Sequence, residues 1–96
     1  MRQTKLTVKL TTAFKKDYKL AMKRGLKLEL LDAVIEQLAM GKVLPKIYRD
    51  HELAGSWKGH RECHILSDWL LIYRIEESVL VLTISRTGTH GDLFDK

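Results

Sequence analysis

The stretch "HRECHILSDWLLIYRIEESVLVLTISR", residues 60–86, holds three strand-length runs separated by two short polar breaks. The runs are 60–66, 69–75 and 79–86. Ser67-Asp68 and Glu76-Glu77-Ser78 are short enough for hairpin turns, so the three runs predict consecutive antiparallel strands. Pairing Leu66 with Trp69 and Ile75 with Val79 places Cys63, Ile65, Leu70, Ile72, Leu80, Leu82 and Ile84 on one face, the expected core side. Glu62, His64, Trp69, Leu71, Tyr73, Val81, Thr83 and Ser85 fall on the other, where mixed polar and aromatic groups suit a ligand. The middle run is apolar on both faces, as a central strand should be. Arg61 shares the core parity, which a charged side chain tolerates only by reaching round the sheet's edge.

Upstream, "KLTVKLT" at 5–11 alternates apolar and polar residues with the period of two of a half-buried strand. Thr11 or Thr12 can cap a helix through its hydroxyl. Phe14, Tyr18, Ala21 and Met22 follow at helical spacing until Gly25, a natural helix stop. A second helix is expected from Leu26 to Met40, with Leu28, Leu31, Val34, Ile35 and Leu38 as its apolar stripe. Residues 44–59 show no sustained period and read as irregular. The tail after Arg86 reads as a loop with a terminal anchor. The order β-α-α-β-β-β predicts an α+β fold, two helices packed on a small antiparallel sheet, in a single domain spanning 1–96.

The 96 residues carry a formal charge of +5 and a pI near 9.5, which favours a polyanionic partner. Lys15, Lys16, Lys19, Lys23, Arg24 and Lys27 crowd one early segment, from the first helix into the start of the second. A single cysteine excludes an intrachain disulfide. No apolar run approaches the ~20 residues of a membrane span. The basic N-terminus lacks a signal peptide's apolar stretch, so a cytoplasmic location is expected.

In the expected register, the Ser67-Asp68 turn, the end of the last strand and the tail meet at one end of the sheet. His64, Asp68, Trp69, Arg86 and His90 can converge there, with His51 nearby. Two chemistries suit such a set. Zinc takes histidine, cysteine and aspartate ligands, but the spacing of His60, Cys63 and His64 matches no strong zinc signature, and His60 and Cys63 leave a strand on opposite faces. The other is metal-free cleavage of RNA. One group takes the proton of the ribose 2′-hydroxyl and another protonates the leaving 5′-oxygen. Histidine suits both tasks. An arginine can stabilise the charged phosphorane, and Trp69 or Phe94 can stack a base. Trp57, Cys63 and Tyr73 read as packing residues, and His60 has no assignable role.

The pattern L-P-x-x-Y-x-D-H-x-L-x-G-x-W-x-G-x-R-x-x-H-x-x-x-D-W-x-L-I-Y-R, Leu44 to Arg74, together with "RTGTH" and the following "LF", Arg86 to Phe94, resembles the YafQ branch of the RelE superfamily. The resemblance covers essentially the whole chain. It implies a RelE-like β-α-α-β-β-β toxin of a type II toxin–antitoxin system: an endoribonuclease that cuts mRNA in the A site of the ribosomal 30S subunit without metal or cofactor. It implies as partners the ribosome and its mRNA, and a cognate antitoxin, small with an acidic C-terminal part, extending to an autorepressing complex of the two on DNA. It implies active-site roles for His51, His64 and Asp68, with His90 as general acid and His51 or His64 as base. Asp68 would orient one histidine. Arg86 would hold the scissile phosphate, Arg61 would add positive charge, and Trp69 and Phe94 would contact bases. Lys15, Lys16 and Lys19 would grip ribosomal RNA through its phosphates. Ser67 stands where the family commonly has proline, His60 where it often has an aromatic residue, and Cys63 where it often has a small one. The alternatives are a catalytically silent RNA-binding or repressor module on the same scaffold and a metal-dependent nuclease.

Overall fold

The computed structural model describes residues 4–94; the first three and last two residues of the expected 1–96 domain lie outside the described part. Strand β1 (Thr7–Leu10) leads into helices α1 (Thr12–Lys23) and α2 (Leu28–Ala39). A short strand β2 (His51–Glu52) follows, then β3 (Arg61–Leu66), β4 (Trp69–Glu76), β5 (Val81–Gly88) and helix α3 (His90–Phe94). Thr11 caps α1 as its sequence position suggests, its hydroxyl oxygen accepting from the Phe14 amide at 2.9 Å. Gly25 ends α1 in the left-handed conformation (φ 74°), with the Leu26 amide bonded back to the Ala21 carbonyl at 3.1 Å.

The sheet runs β1-β5-β4-β3-β2. The α+β class and both main helices agree with the sequence. The sheet, however, is mixed: β1 lies parallel to β5, with Val8 opposite Leu82. The two-helix crossover returns the chain far enough away that β1 and β5 meet head with head, as a crossover allows and a hairpin does not. Within the segment expected to be irregular, β2 adds a fifth strand through His51 opposite Glu62 and Glu52 opposite Arg61. The tail forms α3 rather than a loop.

Register is the larger correction. Leu66 does face Trp69, but the ladder then shifts at Ile65, so that His64 faces Leu70 and Cys63 faces Leu71. A second shift at Ser85 sets Ile72 opposite Arg86 and Tyr73 opposite Ile84. These are β-bulges, each adding one residue to the outer strand. The β4–β5 turn is also longer than expected: Glu76 pairs with Val81, and Leu80, expected in the core, is half exposed at φ 55°. The bulges invert β4 relative to its neighbours. Trp69, Leu71 and Tyr73 join Cys63, Ile65, Leu82 and Ile84 beneath the helices, against Phe14, Leu31, Val34 and Leu38. Leu70 and Ile72 face the opposite side, where Leu53, Trp57, Leu93 and Phe94 cover them. The larger rings of Trp69 and Tyr73 thus fill the main core layer.

Candidate active site

Three elements bring the histidines together. β2 presents His51 directly opposite Glu62 of β3, and His64 follows two residues later on the same face. α3 presents His90 from the tail, and Phe94 lies one helical turn on. The rings form a row: His51 to His64 at 6.5 Å between centroids, His64 to His90 at 5.9 Å, and His90 to Phe94 at 6.3 Å.

Each imidazole is held in the same sense. His51 Nδ1 lies 2.7 Å from the Arg49 carbonyl, His64 Nδ1 3.3 Å from the Ser67 carbonyl, and His90 Nδ1 2.8 Å from Asp68 Oδ1. A carbonyl or carboxylate oxygen can only accept, so Nδ1 carries the hydrogen in each ring and Nε2 is left as the working nitrogen. For His51 and His64, Nε2 turns toward one oxygen of Glu62, at 3.4 Å and 3.8 Å. The Glu62 side chain is only 5% exposed, whereas His51 is 49% exposed. A buried carboxylate is therefore wedged between two imidazoles, able to accept from whichever carries a second proton. Glu62 was placed on the ligand-facing side by its parity but carried no role in the sequence reading. Its partnership with His51 depends on β2, a two-residue strand with no periodic signal.

The tail is fastened at both ends. Asp68 Oδ1 accepts the His90 amide at 3.0 Å as well as its ring, so one carboxylate caps α3 and aims the imidazole. Asp92 closes a reciprocal pair with Thr89: its carboxylate accepts the Thr89 amide at 3.0 Å, and its amide donates to the Thr89 hydroxyl at 3.1 Å. Arg24, at the end of α1, donates to both Asp92 oxygens at 2.7 Å and 3.2 Å. A Cβ at Gly88 would come within 3.0 Å of the Asp92 side chain, so a larger residue there would press on the Asp92 contacts.

These contacts hold Asp68 below the usual carboxylate range, chiefly through the His90 amide and then its ring, and hold Asp92 far below it, chiefly through Arg24. A depressed carboxylate stabilises the folded form above its unfolded pKa and loses that contribution as pH falls through its folded value. The docking of α3 should thus be unaffected from neutrality down to about pH 4 and weaken below it. The chemical shifts of Leu93 and Phe94 followed by NMR check this; shifts unchanged to the pH of global unfolding would contradict it.

Two expected contacts are not part of the row. Trp69, expected to stack a base, is buried (3% exposed), its indole N–H donating to the Thr87 hydroxyl at 3.0 Å. Inversion of β4 turned it into the core, so it has no face to offer a nucleotide. Arg61, expected to add charge to the site, leaves β3 on the helix side opposite Tyr73. There its Nε donates to Asp50 at 3.2 Å, and the Tyr73 hydroxyl donates to the same carboxylate at 2.5 Å. Burial, and then Asp50, push the Tyr73 phenol strongly up. Arg86 lies on the α3 side, but Asp17 of α1 holds its Nε at 2.6 Å and Nη2 at 3.0 Å. Two of its five N–H groups are thereby engaged. Lys15, Lys16 and Lys19 are exposed along α1.

The packing readings agree with the structure. Trp57 rests on the second core cluster and meets His60 edge-on at 5.1 Å. Cys63 is fully buried, and burial pushes its thiol up to about 12. Among the described residues no group of three or more His, Cys, Asp or Glu side chains is arranged to hold a metal ion, and no helix is long and apolar enough to cross a membrane.

Comparison with known proteins converges on one family. The family model described as "Bacterial toxin of type II toxin-antitoxin system, YafQ" matches residues 6–95. The mRNA interferase toxin YafQ of Escherichia coli (strain K12) is 43% identical over 82 residues, covering 84% of this chain and 87% of the relative. Among solved structures, the E. coli DinJ-YafQ toxin-antitoxin complex contains a chain that superposes with a TM-score of 0.86 at 38% identity, covering 94% of this chain and 98% of its own. A metal-bound toxin from Helicobacter pylori superposes with a TM-score of 0.87 at 40% identity, covering 93% and 99%.

Proposed function

Because this chain belongs to the YafQ family of bacterial type II toxin–antitoxin toxins, we propose that it is an mRNA interferase acting in the cytoplasm, on mRNA in the ribosomal A site, by general acid–base catalysis. The observation that carries the mechanism is the row of three imidazoles, each with Nδ1 fixed by an oxygen and Nε2 left to work.

In this reading the attacking ribose lies at the end of the row formed by His51 and His64. One of them takes the 2′-hydroxyl proton at Nε2, and Glu62 between them accepts from the ring that becomes doubly protonated. The oxygen freed on the other nucleotide lies at His90, whose Nε2 has no partner among the described residues and can deliver a proton. Asp68 keeps that ring in the productive tautomer. The phosphorane needs positive charge, which the remaining N–H groups of Arg86 and the imidazolium of His90 supply. Phe94 stacks the base beyond His90. Groups held by packing before substrate arrives do not need to reorganise during the reaction. The exposed lysines of α1 provide phosphate contacts to ribosomal RNA without sequence reading.

The same helix supports a reading of the antitoxin surface. Val8, Leu10, Phe14, Tyr18, Met22 and Ile35 line an open groove of about 630 Å3 between β1 and the helices, together with Lys15, Lys19 and Asp32, whose carboxylate accepts from the Tyr18 hydroxyl. Leu10 and Met22 are exposed. An amphipathic acidic segment of a cognate antitoxin fits this groove, its apolar side on the floor and its carboxylates toward the lysines. Replacing Leu10 by aspartate should weaken antitoxin binding about tenfold or more, since burying an unpaired charge costs over 1.4 kcal/mol. Titration calorimetry checks this; unchanged affinity would move the antitoxin elsewhere.

The function itself is tested by mapping cuts on a defined mRNA with and without translating ribosomes. Cuts confined to translated, ribosome-bound message support the reading. Absence of cleavage under any condition would favour a silent RNA-binding module.

A further inference from the structure

A second groove, of about 680 Å3, opens beside the histidine row and shares His64 with it. Its floor is Ile65 and Leu66 at the β3 bulge, its far wall is Leu30 and Ala33 of α2, and its near wall is the turn from Lys46 to Arg49. We propose that this groove is a nucleotide subsite, and that it takes the base whose ribose supplies the attacking 2′-hydroxyl.

Several observations meet here. The volume lies in the roughly 300–1,000 Å3 range of sites that enclose small organic ligands. The lining is an apolar floor with one tyrosine ring and two cations, Lys46 and Arg49, along one wall. Apolar or aromatic contact for a base, and positive charge for the adjoining phosphate, is the combination that holds single-stranded nucleic acid. Ile47 and Leu66 are large apolar residues left 81% and 52% exposed at this place, and exposed apolar groups grouped at a groove mark a contact surface.

The wall is also tied to the chemistry by the backbone. Arg49 adopts the left-handed conformation at φ 51° and ψ 41°, a sparsely populated region for a residue with a side chain. That turn aims the Arg49 carbonyl at His51 Nδ1, 2.7 Å away. The residue that walls the groove therefore also fixes one of the two candidate bases. The inference rests on the acid–base assignment above, which gives the row a polarity. With His90 at the leaving oxygen, the attacking ribose is at the His51–His64 end, and the groove sharing His64 is where its base can go. The base on the other side of the cut lies at Phe94. The groove then governs preference for the nucleotide 5′ of the cut and leaves the 3′ one to Phe94.

The experiment uses a His90→Ala chain, titrated by amide NMR with each of the four nucleoside 3′-monophosphates and, separately, with inorganic phosphate. Nucleotides should shift Ala33, Tyr48, Ile65 and Leu66, and phosphate should not. Filling the groove with Ala33→Trp, at an exposed helix position, should weaken nucleotide binding about tenfold, within the range of a lost base contact. Ile47→Asp, also exposed, should act in the same direction and guards against a folding defect in the first variant. In ribosome assays with His90 intact, both variants should alter the nucleotide found 5′ of the cuts while leaving the 3′ preference as it was. An altered affinity for isolated ribosomes with unaltered cut sites would assign the groove to a ribosomal RNA base and overturn the mRNA assignment. Shifts confined to the histidine row, identical with nucleotide and with phosphate, would overturn the subsite altogether. A wild-type chain that cuts no RNA would sink the nuclease reading, while the NMR titration would still decide whether the groove holds a nucleotide.

Discussion

A His90→Ala chain should fold as the wild type does and cleave ribosome-bound mRNA about 10²–10⁴ times more slowly, the usual contribution of a general acid. The leaving 5′-oxygen of a ribose is a poor leaving group unless protonated, and His90 is the one imidazole of the row whose Nε2 is not directed at Glu62. The fold should survive because the ring is more than half exposed, and because Asp68 bonds the backbone amide of residue 90 as well as its ring. With alanine, α3 keeps that cap. Single-turnover cleavage on saturating ribosomes, alongside thermal melting, separates the two effects. Full-rate cleavage by the variant would remove His90 from the mechanism.

Trp69→Ala should have the opposite profile. Removing a fully packed tryptophan costs about 3–5 kcal/mol, a large part of the roughly 5–15 kcal/mol that holds a small domain together. Trp69 sits beneath the helices with Leu71 and Tyr73, and its indole N–H reaches a buried threonine hydroxyl that itself donates to the Leu70 carbonyl at 2.6 Å. Its replacement should lower the melting temperature sharply, and any loss of cleavage should follow the loss of folded protein. Phe94→Ala is the contrast: half-buried at the end of α3, it should reduce cleavage with a much smaller change in stability. Denaturant unfolding of the two variants checks this. A Trp69→Ala chain as stable as wild type would contradict the inverted placement of β4.

That inversion marks where the sequence stopped being readable. α1, α2, β3 and β5 have a period that one face of burial imposes, so Phe14, Leu31, Val34, Cys63 and Ile84 were legible as core; β1 alternates too, but only Leu6 just before it is buried, while Val8 and Leu10, expected on a half-buried face, are exposed. β4 has no such period: Leu70, Leu71 and Ile72 are all fully buried, and a strand buried on both faces carries no parity signal. The bulges at Ile65 and Ser85 then move the ladder by one residue, and a single step exchanges the faces. Trp69 was misplaced for that reason. His64 kept its face because β3 alternates clearly.

The site divides in the same way. His51, His64, Asp68, His90 and Phe94 were picked out by residue type and motif, and the fold brings them together: the four rings in one row, with Asp68 bonded to His90. Glu62 was not, because a carboxylate in an alternating strand usually points to solvent; only β2, too short to announce itself, turns it into a buried partner of His51. Asp17 and Arg24 were also hidden. Asp17 lies on α1 and Arg24 just past its end, and nothing local records their contacts with Arg86 and Asp92, which span some seventy residues. Arg61 was the one residue whose awkward parity was informative, since it does face the helices.

In this mechanism the imidazole row transfers protons to and from RNA. The ends of the cut message test it most directly. Attack by the 2′-hydroxyl leaves a 2′,3′-cyclic phosphate or 3′-phosphate on one fragment and a 5′-hydroxyl on the other. A 5′-phosphate on the downstream fragment would contradict this mechanism.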